Sequence, residues 1–122
     1  MPNGQVTMVS LPYPSQWVIN ASIGRRPTNL GTLRIHSVTG NSVNGDVNFR
    51  GAFLPIRGLW NESNKQLTFE SPYASFVGQL TSFDEPAISM RHYILSGRVA
   101  MKPPSIRAGE FGTWTATYNI RI

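Results

Sequence analysis

Ile56-Arg57-Gly58-Leu59-Trp60, Asn61-Glu62-Ser63-Asn64 and Lys65-Gln66-Leu67-Thr68-Phe69 follow one another near the middle of the chain, and their reading decides the fold. The two outer runs alternate apolar with polar side chains, the period of a strand with one buried face. The residues between them favour turns, so the stretch predicts a β-hairpin. Its first arm sets Gly58 on the same face as Ile56 and Trp60. The same arrangement recurs at Val43-x-Gly45-x-Val47, Phe76-x-Gly78-x-Leu80 and Leu95-x-Gly97-x-Val99. Glycine weakens a strand interior, so this recurrence needs a compensating reason. A tightly coiled barrel wall supplies one, because a missing side chain at the point of greatest curvature leaves room for a large neighbour.

Working outward, alternation predicts strands over 16–22, 31–38, 42–50, 53–60, 65–70, 74–81, 88–101 and 112–122. Trp17, Ile19 and Ala21 share one face of the first. Leu33 and Ile35 oppose Arg34 and His36 in the second, and Trp114, Ala116, Tyr118, Ile120 and Ile122 share one face of the last. Residues 82–87, with Asp84-Glu85-Pro86, and the Pro/Gly-rich 102–111 read as loops, and no window holds a helical period. The expected architecture is therefore all-β: a single domain over 1–122, an eight-stranded antiparallel up-and-down barrel with 1–15 as an extended lead-in. A β-sandwich is the alternative, since the same alternation builds both.

Composition agrees with one globular β domain. The chain has 122 residues, 14% charged, with eleven Gly and nine Pro spread as punctuation and three Trp, four Tyr and six Phe. There is no cysteine, which excludes disulfides and thiolate chemistry and leaves the compartment open. No stretch reaches the ~20 apolar residues of a membrane helix. Met1–Pro14 has neither a basic start nor a continuous apolar core, so no signal peptide is expected. A net charge of +5 from Arg-rich, scattered bases confers attraction to polyanions without specifying fold.

Chemical motifs are sparse. The six carboxylates show no facing pair of the kind glycoside hydrolysis uses, and His36 and His92 belong to no metal-ligand spacing. No G-x-S-x-G elbow, phosphate loop or dinucleotide fingerprint is present. An enzyme is not expected, nor a cofactor or metal. Basic and aromatic residues interleave at Arg91-His92-Tyr93 and at Tyr118-Asn119-Ile120-Arg121, but Tyr93 and Tyr118 have apolar company on their own faces, so nucleic acid is not the expected partner. Trp17, Trp60 and Trp114 fall near predicted strand ends, where a barrel opens. They are the candidate stacking residues for a small-molecule or carbohydrate ligand, with Asn20 and Arg25 as polar anchors. The competing reading is that these rings fill the barrel.

With the strands placed, the chain resembles a small calycin and, within that group, avidin-like barrels. The resemblance rests on Trp17 and Asn20, Leu30-Gly31-Thr32-Leu33-Arg34-Ile35, Val43-Asn44-Gly45-Asp46, Phe76-Val77-Gly78-Gln79 and Trp114-Thr115-Ala116-Thr117. It implies an avidin-like fold, ligand binding at the open end and homo-oligomers. Asn20 falls one place later after Trp17 than the family's Asn, which turns it to the opposite face, and the second Trp of the family's ligand cage has no counterpart. The functional expectation is a non-enzymatic binding protein. The alternatives are a structural or interaction domain with a filled barrel, acting through its surface or by homo-oligomerisation, and a polyanion-binding module.

Overall fold

The computed structural model describes residues 9–122, in which the alternating runs become eight strands: β1 (Ser15–Ile23), β2 (Asn29–Thr39), β3 (Ser42–Asn48), β4 (Leu54–Asn61), β5 (Gln66–Glu70), β6 (Ala74–Glu85), β7 (Met90–Met101) and β8 (Phe111–Arg121). Each pairs antiparallel with the next, and β8 returns to pair with β1 from Val18 opposite Thr117 to Ile23 opposite Gly112. The sheet is thus a closed up-and-down barrel and not two facing layers. Residues 1–8, part of the expected lead-in, lie outside the described residues.

Period-two patterning explains which side chains point inward. In β1, Trp17, Ile19, Ala21 and Ile23 are buried while Gln16 and Val18 are exposed. A bulge between Ile35 and Ser37 of β2 resets the phase, so that Val38 follows Leu33 and Ile35 into the core. The recurring glycines are sterically required, but only Gly78 makes room for a large side chain as expected; the other three make room for backbone. A Cβ on Gly97 would lie 1.9 Å from the Val77 carbonyl oxygen, and one on Gly78 would lie 2.5 Å from the Trp114 ring. Gly45 and Gly58 face neighbouring-strand carbonyl oxygens at 2.0 and 2.4 Å in the same sense. Coiled strands approach so closely at these points that no side chain fits.

Several boundaries differ from the sequence reading by one or two residues, and that of β6 differs by four. Ser82–Glu85, expected as loop, extend β6 and pair with Met90–Tyr93, leaving only a 3-10 turn at Pro86–Ile88. Bidentate Arg91–Asp84 contacts and a His92–Glu85 contact cross this hairpin and offset the turn preference of the acidic, proline-terminated segment. Arg50, expected at the end of the third strand, lies beyond β3 in the connection to β4.

Candidate functional site

In an up-and-down barrel, alternate connections lie at the same end. The β1–β2, β3–β4, β5–β6 and β7–β8 connections share one end (the loop end); the start of β1 and the β2–β3, β4–β5 and β6–β7 turns share the other (the strap end). The two ends are built differently.

The strap end is shut. Residues 9–14 precede β1, and Leu11 is wholly buried in the barrel core. Trp17 packs against Tyr118 at 5.4 Å and Tyr93 at 6.4 Å between ring centres, filling this half of the interior. The Trp17 indole Nε1 donates to Ser15 Oγ at 2.7 Å, and that hydroxyl donates in turn to the Pro12 carbonyl at 2.8 Å. Glu62 clasps the strap from the β4–β5 turn: its carboxylate accepts from Ser10 N at 2.8 Å and Trp60 Nε1 at 2.7 Å, and it pairs with Lys65. Burial pushes the Glu62 carboxyl upward, but hydrogen bonds from Lys65, Ser10 and Trp60 outweigh it and hold it at about 2.

The loop end is open. Inward-facing Ala21, Val47, Ala74, Phe76, Val99 and Met101 enclose a cavity of about 410 Å³, within the size range of small-molecule sites. Phe76, the one ring of an aromatic cluster that lines the cavity, stacks on Phe69 at 4.5 Å, and Trp114 meets both edge-on at 5.5 and 5.6 Å. Phe49, Tyr73 and the fully exposed Ile106 continue the apolar wall to the rim, where Arg50 and Arg107 supply the charged groups. Arg26 binds Glu110 at 3.1 Å, fastening the β1–β2 turn to the β7–β8 loop beside this mouth.

The five residues expected to make the ligand site do not converge. Trp17, Trp60 and Trp114 are 0%, 4% and 1% exposed, so they are core and not rim. Trp17 and Trp60 belong to the shut end; Trp114 packs against Phe76 of the cavity wall without lining the cavity, its Nε1 donating to the Val77 carbonyl at 3.0 Å. Asn20 alternates with buried Ile19 and Ala21 and faces outward, consistent with its displaced position after Trp17. Arg25 is exposed in the β1–β2 turn at the open end. Residue-type reasoning missed Phe49, Arg50, Tyr73, Met101, Ile106 and Arg107. One signal was available: strand parity alone assigns every odd-to-even connection to a common end, and these residues lie in or next to such connections.

Elsewhere, two histidine–carboxylate contacts occur on the outer surface. His36 Nε2 lies 2.9 Å from Asp46, and His92 engages Asn119 at 2.7 Å and Glu85 at 2.8 Å through its two ring nitrogens. Hydrogen bonds to Asn119 and then Glu85 raise the His92 pKa above its ordinary 6.5. Both of its nitrogens are thereby occupied, which leaves none to activate a nucleophile. A shallow depression of about 690 Å³ crosses the outer faces of β4 to β8, with Leu59 and Phe111 exposed along it. Compared with protein-family models, characterised proteins and solved structures, the chain matches none.

Proposed function

We propose that the protein is a non-enzymatic binding protein that takes a small, largely apolar molecule into the cup at the loop end of its barrel. The observation that carries this reading is the asymmetry of the two ends: Trp17, Tyr93 and Tyr118 fill the interior beneath the strap, whereas a cavity of about 410 Å³ opens at the loop end. Its wall is mainly aliphatic and aromatic, which favours an apolar ligand over a sugar, whose hydroxyls would lose their hydrogen bonds on entry. A ligand that binds only the folded state raises its stability by mass action.

Thermal-shift titration with a panel of small apolar compounds tests this. At least one is expected to raise Tm in a saturable way. Ala74→Trp, which puts an indole where a 5%-exposed Ala lines the cup, abolishes the response. Ile106→Ser, at a fully exposed rim position with no burial to lose, weakens it while leaving the unliganded Tm unchanged. A saturable response that survives both substitutions sinks the reading, as does no response across the panel. The exposed Leu59 and Phe111 favour a second reading, homo-oligomerisation through the outer face. Sedimentation equilibrium giving a single 13.5 kDa species removes it.

A further inference from the structure

We infer that the molecule held in the cup is an amphipathic anion, its apolar part inside the barrel and its charged group clasped at the mouth by Arg50 and Arg107. This rests on the cup being a ligand site and specifies what that site takes.

The charge inventory makes the case. All six carboxylates are already engaged: Asp46 with Arg34 and His36, Glu62 with Lys65, Glu70 with Lys102, Asp84 with Arg91, Glu85 with His92 and Glu110 with Arg26. Six of the eleven basic side chains, Arg25, Arg50, Arg57, Arg98, Arg107 and Arg121, have no carboxylate partner among the described residues. Three of these, Arg25, Arg50 and Arg107, stand in the connections of the open end. Arg50 and Arg107 line the cavity itself, and no Asp or Glu does.

The carboxylates nearest the mouth are neutralised before they can compete. Glu70 closes β5 at that end and is bound by Lys102, whose hydrogen bond and charge lower its pKa. Glu110 is taken by Arg26. What remains is positive charge beside an apolar cavity, where charges interact more strongly than in bulk water. A guanidinium offers paired N–H donors that match a carboxylate or sulfate, so the set fits a ligand with one anionic end and an apolar body.

Calorimetric titration with octanoate, octyl sulfate and 1-octanol, all below their aggregation concentrations, reads this directly. The wild-type protein is expected to bind at least one of the two anions about tenfold or more tightly than the neutral alcohol, in line with charge-assisted hydrogen bonds, with the preference shrinking at high salt. Which anion binds better tells carboxylate from sulfate chemistry, and either preference over octanol supports the proposal. The double variant Arg50→Gln/Arg107→Gln is expected to lose that preference, binding the anions no more tightly than octanol, with its unliganded Tm unchanged. Equal binding of alcohol and anions, or an anion preference that persists in the double variant, overturns the proposal while leaving the cup intact as an apolar site. Failure of all three to bind overturns it together with the cup reading.

Discussion

Gly97 shows how a single position governs closure. Its Cα stands opposite Gly78 across the β6–β7 pair, and an added Cβ would meet the Val77 oxygen and then the Gly78 Cα at 2.6 Å, both of them backbone. Backbone cannot step aside without breaking the ladder. Gly97→Ala is therefore expected to cost more than the ~1–3 kcal/mol usual for overpacking, whereas Ser96→Ala next to it, on the exposed face, shifts stability by less than about 0.5 kcal/mol. Chemical denaturation of the two variants compares them. Glu62 acts through charge. Its folded pKa of about 2 lies below the ordinary 4.5, so its contribution is complete above pH 4.5 and is lost as pH falls towards 2. Acid titration of stability is expected to show this loss, and Glu62→Gln to flatten it. Glu62→Ala leaves the buried Trp60 N–H without its acceptor, at a cost of about 1–3 kcal/mol.

At the scale of elements, the strap over residues 9–14, clasped by Glu62 of the β4–β5 turn, shuts one end, and the β6–β7 hairpin extends beside it. Leu11 is the strap's anchor in the core. Leu11→Ala is expected to destabilise by about 2–5 kcal/mol, the range for a buried Leu truncated to Ala, with cup ligands still binding because the cup lies at the opposite end. A loss of cup binding in a folded Leu11→Ala protein contradicts that separation of the ends. The hairpin extends because Asp84 and Arg91 face each other across it at 2.6 Å, and because β8 continues alongside β7 as far as the Met90–Arg121 pair. Pro86 then falls in the turn, where its missing N–H costs nothing.

For the molecule as a whole, closure abolishes sheet edges, and the core beneath the strap leaves a cup only at the loop end. The β1–β8 seam joins the first and last strands, the longest sequence separation in the sheet. Hydrogen exchange is expected to protect the amides of Val18–Ile23 and Gly112–Thr117 about as well as those at the centre of the β6–β7 pair. Fast exchange confined to β1 and β8 points to an open sheet instead. The arginine-rich surface also resolves at this scale. Of the eleven bases that look scattered along the sequence, five are matched by acids, and two of the six without a carboxylate partner among the described residues, Arg50 and Arg107, line the cavity at the loop end.

The alternation in β1, β3 and β8 gave the strands, and the glycines at 45, 58, 78 and 97 favoured a coiled barrel wall over the sandwich that the same alternation also builds, because strand period and steric exclusion at a glycine are local properties. The site was not legible in the same way. Trp17, Trp60 and Trp114 drew attention as large rings near strand ends, but whether a ring lines a mouth or fills a core depends on what sits above it, and that is a matter of packing between distant segments. Leu11 and Glu62 close one end from 51 positions apart, while Arg50 and Arg107 line the same cavity at the other from 57 apart. The chain alone determined eight alternating strands with glycines suited to a coiled wall; only the tertiary structure decided that the sheet closes, which end is stoppered and which charges are left without partners, since all three depend on contacts that no local pattern encodes.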